Sequence, residues 1–361
     1  MSTDLQREAH RILEAFAGTW TLDIDDLTKP SGEQVMRNLI QQSPGSLQER
    51  LKEEFFGWGP LTAQFNDNEV QEIVINGADE IWIERQGAFA QLADRFLTPL
   101  TFKNFVDRLC SAAAIRIDLA QPFVDGSWES FRIHVGCAPL THCEFHVTLR
   151  RRPNQPWTLD RLESLKWADP GQMQTLRQLI HERRNVIFVG PTGCGKTSVL
   201  GACLKELPGH ERVIVIEDTD ELPRPNSAST KLLTRSQAAA SLPDISLADL
   251  VKQSLRMRPF RLVMGEVRGA EAKDLLLALA TGHSGSLGTL HASDARQALL
   301  RLEMLVQLGA PQWNVQAIRQ LLQLSVDALV VCGLKEGHRS LEGIFKVAAL
   351  ESFGFLLEPM T

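Results

Sequence analysis

Apolar residues recur at helical spacing over positions 1–20, where Leu5, Ala9, Ile12, Leu13 and Phe16 share one face. Leu39, Ile40, Leu47, Leu51 and Phe55 continue less evenly toward a second helix that Pro44-Gly45 interrupts, and the Gly57-Trp58-Gly59-Pro60 run breaks it. Residues 1–56 therefore read as an α-helical segment. The period then shortens to two. Ile81 and Ile83 alternate with Trp82 and Glu84, and with Glu72–Ile75 they predict two short strands around a turn. Phe102, Phe105, Leu109 and Ala113 return to helical spacing. Two further alternating stretches follow, with Phe131, Ile133 and Val135 against Arg132 and His134, then Phe145, Val147 and Leu149 against His146 and Arg150. Residues 57–150 thus read as a small α+β domain.

The stretch from Arg151 to Trp157 carries two prolines and no periodicity, so 151–166 is expected to be a linker. Beyond it apolar runs near 186–190, 212–218, 260–267, 286–292 and 326–332 alternate with helical patterns. That predicts a mostly parallel α/β sheet over 167–361.

The first of these runs ends in candidate chemistry. Val186–Val189 stops at Gly190, and Gly190-Pro191-Thr192-Gly193-Cys194-Gly195-Lys196-Thr197 satisfies G-x-x-x-x-G-K-[ST], with Ser198 opening a helix. Glycines let a tight turn aim backbone N–H groups at phosphate oxygens, and the helix N-terminus adds partial positive charge. Lys196 is expected to reach the β- and γ-phosphates, and the Thr197 hydroxyl to sit on Mg²⁺. Strand, glycine turn and helix together identify a P-loop nucleotide site. Two later apolar runs end in acids, at Glu217-Asp218 and at Glu266. In such sheets ligands bind beyond the carboxyl ends of the strands, so an acid there can orient water or hold Mg²⁺. His283 and His291 flank a glycine-rich turn and a strand, as candidate γ-phosphate sensors or subunit-contact groups.

The remaining features narrow the class. A chain of 361 residues with 43% hydrophobic and 23% charged residues is ordinary globular material of about two domains. A net charge of −6 and the lack of a basic-aromatic stretch weigh against a nucleic-acid motor. No apolar run approaches membrane-spanning length, no leader pattern opens the chain, and the six cysteines form no C-x-x-C pair. A cytoplasmic location is expected, with membrane association only through partners. His134, Cys137, His142, Cys143 and His146 crowd together, but their spacing fits no zinc pattern.

Four blocks in order resemble the ATPase superfamily of type II secretion, type IV pili and type IV secretion. They are the P-loop, Ile216-Glu-Asp-Thr-Asp-Glu-Leu222, Arg256-Met-Arg-Pro-Phe-Arg-Leu-Val-Met-Gly-Glu-Val-Arg-Gly269 and Thr281-Gly-His-Ser-Gly-Ser-Leu-Gly-Thr-Leu-His-Ala292. The stretches Val74–Arg85 and Ile115–Gly126 are most similar to the tight-adherence (Tad/Flp) pilus branch. The resemblance implies a RecA-like core, ATP and Mg²⁺ as cofactors, a homohexamer, and an inner-membrane platform protein as partner. It further implies Glu266 as general base, Glu217 on Mg²⁺ or water, and His283 and His291 at the phosphates. Arg116 and Arg132 would reach over the triphosphate, while Arg235, Arg258 and Arg268 match arginines of possible subunit contact. Cys194 stands where many relatives carry Ser, and the four-cysteine zinc module of type II secretion is missing. A catalytically weak ring scaffold is the competing reading, and the intact Lys196 and Glu266 weigh against it.

Overall fold

The computed structural model describes residues 2–18, 30–85, 87–152, 157–235, 243–351 and 354–360. It divides into two compact units, Met1–Asn154 and Gln155–Thr361.

In the first unit the helices Ser2–Ala17, Pro30–Gln41 and Gly45–Phe56 bury Leu5, Ile12, Phe16, Met36, Ile40, Leu51 and Phe55 against one another. The helical faces expected from the spacing are the buried ones. The expected boundary at residue 56 is not a physical one, however. Glu54 lies buried at the end of the third helix, pairs with Arg50 at 2.7 Å, and accepts from the Leu97 N–H at 2.7 Å and from the Thr101 hydroxyl. Arg108 in turn donates to the Phe55 and Gly57 carbonyls, satisfying groups that a helix C-terminus leaves open. The helical segment and the α+β part are therefore one body.

The α+β part is a six-stranded antiparallel sheet of β1 (Val70–Ile75), β2 (Ile81–Arg85), β3 (Ala88–Gln91), β4 (Phe123–Trp128), β5 (Phe131–Cys137) and β6 (Phe145–Arg151). Its order is β3-β2-β1-β6-β5-β4. Opposite pairs such as Ile73 with Leu149 and Val135 with Val147 put the alternating apolar residues on one face. The helix Pro99–Ala112 covers that face through Phe102, Phe105, Val106 and Leu109.

The second unit is an eight-stranded sheet: β7 (Val186–Gly190), β8 (Val213–Glu217), β9 (Thr230–Leu233), β10 (Arg261–Met264), β11 (Leu287–His291), β12 (Ala328–Lys335), β13 (His338–Glu351) and β14 (Gly354–Met360). The order β14-β13-β12-β7-β11-β10-β8-β9 places β7 at the centre. Strands β12, β7, β11, β10, β8 and β9 run parallel, and β13 and β14 add an antiparallel edge. The central strands β7, β8, β10 and β11 are buried along almost their whole length because both faces are covered. Ile187, Val189, Ile214, Ile216, Leu262 and Met264 meet the helices Leu247–Ser254, Glu271–Ala280, Ala295–Gly309 and Val315–Ser325. Val186, Phe188, Val213, Val215 and Val263 meet the other face, built from Leu159–Ser164, Pro170–His181 and Lys196–Lys205. The helix Leu159–Ser164 corrects the expected linker. Leu159 and Leu162 are buried with Trp167 in this core, so the segment after Trp157 is already part of the unit. Of the remainder, Pro153–Pro156 lie outside the described residues.

Candidate nucleotide site

Strand β7 delivers the chain to the P-loop beside β12, which runs parallel to it with Val331 opposite Val189. Gly190 has no room for a side chain: a Cβ there would stand 2.3 Å from the Cys332 carbonyl oxygen and 2.6 Å from Cys194 Sγ. Gly195, at φ +92°, turns the loop into the helix Lys196–Lys205 through a conformation that glycine adopts without strain. The result is a helix N-terminus facing a glycine turn, a ready-made phosphate cradle.

Lys196 is buried at the start of that helix. Its ammonium donates to the Gly190 and Pro191 carbonyls at 2.9 and 2.8 Å, and stands 3.5 Å from His291 Nδ1. His291 is there because β11 pairs with β7 in register, placing it opposite Gly190. Its other nitrogen, Nε2, lies 3.1 Å from Glu266 Oε1. The turn carrying Glu266 is fixed to β11 by the Thr289 hydroxyl donating to the Gly265 carbonyl at 2.5 Å and by the Val267 N–H donating to the Thr289 carbonyl at 2.9 Å. Lysine, histidine and acid thus form one chain from the phosphate cradle to a half-buried carboxylate. Burial first, and then the Lys196 charge, push His291 below its ordinary value, while Glu266 pulls it up. A neutral ring fits the geometry, with Nδ1 accepting from Lys196 and Nε2–H donating to Glu266.

Cys194 is fully buried under the loop. The neighbouring Cys332 thiol holds it below the usual thiol range, with Lys196 adding to the effect, while Cys332 is pushed up. Nothing in the sequence pattern paired these two cysteines.

The second strand-end acid has a different setting. Glu217 is 2% exposed, and its Oε1 accepts from the Glu221 and Leu222 N–H groups at 3.1 and 2.9 Å. Its Oε2 forms an ion pair with Lys231 of β9 at 3.2 Å. Burial raises its carboxyl above the ordinary value, and Lys231 opposes that shift. Oε1 is taken by its own loop, whereas Oε2 is buried beside the Lys231 ammonium without a hydrogen bond, so in this conformation Lys231 supplies the positive charge that faces Glu217. Thr197 lies half-buried in the first turn beside the cradle.

The remaining expected site residues separate. His283 does not join the P-loop. It precedes β11 at the amino end of the sheet, with Nδ1 3.0 Å from the Ala278 carbonyl, whereas His291 ends that strand at the carboxyl end. Arg268 pairs with Asp218. Arg235 donates to the Pro243 carbonyl at 3.0 Å, and Arg258 ends a short 3₁₀ turn at φ +55°. Arg116 and Arg132 belong to the first unit. Arg116 is largely exposed and paired with Asp118 at 2.9 Å, and Arg132 lies on β5 opposite Ser127 and Arg150. In the cysteine–histidine crowd at 134–146, His134 meets Asp125 and His146 meets Asn76 and Thr148, and the described residues hold no group of three or more His, Cys, Asp or Glu placed to share a metal ion.

A family model described as "Type II/IV secretion system protein" matches residues 57–333, a span that contains the P-loop, Glu217, Glu266 and His291. The chain belongs to the type II/IV secretion system protein family. A putative conjugal transfer protein of Mycobacterium tuberculosis strain H37Rv is 32% identical over 302 residues, covering 81% of this chain and 85% of that protein. Protein VirB11 of Agrobacterium fabrum is 27% identical over 308 residues, covering 75% and 87%. Among solved structures, the ATPase DotB of Legionella pneumophila matches with a TM-score of 0.60 at 19% identity, covering 82% of this chain and 81% of that one. The pilus retraction motor PilT with bound ADP matches at 0.59 and 18%, covering 79% and 80%. These likenesses agree with the second unit being a RecA-like P-loop core and the first its smaller α+β partner. No helix among the described residues is long and apolar enough to cross a membrane.

Proposed function

We propose that this family member hydrolyses ATP to power assembly of a Tad/Flp-like type IV pilus or protein secretion across the envelope. The observation that carries the reading is the Lys196–His291–Glu266 chain at the mouth of the P-loop. Lys196 neutralises phosphate charge. Glu266 takes the proton of the attacking water, and the neutral His291 ring holds that carboxylate toward the cradle. Bound Mg²⁺ would neutralise further phosphate charge, with the Thr197 hydroxyl as its ligand from the P-loop. Glu217 supports the site from behind, by shaping the loop that carries Asp218, the partner of Arg268. The acting form is a homohexamer at the inner face of the cytoplasmic membrane, held there by a platform protein. The Tad/Flp placement is supported by Val74–Arg85 and Ile115–Gly126, while the names of the relatives make type IV secretion the other outcome.

The test of the chemistry is Lys196→Ala. It removes the charge aimed at the phosphates and should lower Mg·ATP turnover by at least about 10²-fold while the fold persists. Near-normal turnover by a well-folded variant would sink the reading. The test of the machine is a deletion strain assayed for surface pili and for secreted protein, in which loss of pili alone supports the Tad/Flp placement.

Arg116 and Arg132 are proposed to close over the triphosphate of their own chain. Mixed rings of Lys196→Ala and Arg132→Ala subunits should then stay inactive, because each site carries its own defect. Recovery of turnover, peaking near equal ratios, would assign Arg132 to a neighbour's site.

A further inference from the structure

Strand β12 does not stop where β7 does. Its register with β7 ends at Val331 opposite Val189, yet it continues through Lys335, about 13 Å farther at the usual rise per residue. This carries it along the flank of the P-loop. A two-residue turn, Glu336-Gly337, with both residues at positive φ, reverses the chain so that Lys335 pairs with His338 and Leu334 with Arg339. Directly opposed residues share a face of the hairpin, and both members of the second pair meet the P-loop. Leu334 Cδ2 would lie 3.9 Å from a Cβ on Gly193, and Arg339 Cδ 3.5 Å from a Cβ on Gly195. Arg339 Nε donates to the Gly193 carbonyl at 2.8 Å. Among the described residues no carboxylate pairs with Arg339, whereas the neighbouring cation Lys335 is engaged by Glu342 at 3.0 Å. The side chain is exposed.

We propose that Arg339 is a positioning residue for the nucleotide, holding the P-loop in its phosphate-cradling shape through the Gly193 carbonyl and adding its charge beside the cradle. It lies outside the 57–333 span that the family model matches and in none of the four sequence blocks. The inference rests on the ATPase reading. A loop whose carbonyl is tied from outside keeps its N–H groups aimed inward before the nucleotide arrives, so less order has to be gained on binding. A residue of this kind acts on affinity more than on the chemical step.

The experiment measures equilibrium binding of a fluorescent ATP analogue and steady-state hydrolysis of Mg·ATP. It compares the full chain with Lys196→Ala, Arg339→Ala, Arg339→Lys and Lys335→Ala. Arg339→Ala should weaken analogue binding and raise KM by about tenfold, with kcat within about twofold. Arg339→Lys, which keeps a charge and a donor, should recover most of the loss. Lys335→Ala should leave affinity unchanged. Unchanged affinity in a folded Arg339→Ala overturns the proposal. So does an equal loss in Lys335→Ala, which would reduce the effect to general surface charge. A lowered Tm with reduced kcat and unchanged KM would assign Arg339 to structure alone and overturn it as well. Failure of the ATPase reading is a separate result: there the unmodified chain neither binds nor hydrolyses the nucleotide, and Lys196→Ala changes nothing.

Discussion

Strands β8 and β10 are neighbours, parallel, and each has an acid at its carboxyl end, yet the two acids live in different surroundings. Glu266 is about a third exposed and joined through His291 to the P-loop lysine. Glu217 is enclosed, with two backbone N–H groups on one oxygen and Lys231 beside the other. What separates them is the neighbour each strand received. β10 lies against β11, whose last residue is His291, while β8 lies against the edge strand β9, which brings Lys231. An acid at a strand end becomes a reagent or a brace according to what the adjacent strand places over it.

The largest test of this contrast exchanges each acid for its amide. Glu266→Gln should retain nucleotide binding and lower kcat by ~10²–10⁴-fold, the range a positioned general base contributes. Glu217→Gln should change kcat by only a few-fold and appear instead as a lower Tm, because its amide nitrogen would face the Lys231 ammonium. If Glu217→Gln carries the hydrolysis defect and Glu266→Gln does not, the assignment is reversed.

A smaller effect isolates the brace. Lys231→Met leaves Glu217 buried without its cation and should cost about 1–3 kcal/mol at neutral pH. The pH dependence has a definite sign. A carboxyl whose folded value is raised by burial contributes stability below its unfolded value, and that stability is lost as pH rises through the folded value. Removing Lys231 raises the folded value further, so the deficit of the variant should shrink as the pH is lowered toward the ordinary carboxylate range. Denaturant melts at several pH values measure it. A deficit independent of pH would place the role of Lys231 in its contacts with Asp220 and the Leu222 carbonyl instead.

The smallest effect concerns the link on the reagent side. His291 is held below its ordinary value by burial and by the Lys196 charge, so it is neutral in the folded protein at neutral pH. Its contribution to stability is present above its unfolded value and lost as pH falls through the folded one. Protonation also removes the acceptor at Nδ1, so turnover should fall on an acid limb lying below the ordinary histidine range. His291→Gln should lower kcat by about tenfold and shift or remove that limb. An identical acid limb in the variant would remove His291 as its source.

The local sequence fixes a good deal of this molecule. Val186–Val189 followed by the glycine run and Lys196-Thr197 specifies strand, turn and helix, because each step is dictated by neighbouring residues. The continuous apolar runs at β8, β10 and β12 announce strands covered on both faces, and Leu5, Ile12 and Phe16 announce the first helical face. Five strands are poorly legible for physical reasons: β3 is four exposed residues, and β4 buries only Val124. β9 is a short, half-buried edge strand with no apolar run. In β13 and β14 the register shift between Val347 and Ala349 resets the alternation that sequence reading depends on.

Tertiary structure alone decided the rest. Which acid meets His291, which is enclosed by Lys231, that Cys332 meets Cys194, that Glu54 fuses the helical segment to its sheet, and that Arg339 reaches Gly193 all depend on strand order and register. Those are set by how both faces of the sheet are covered at once, and no local window of residues contains that information.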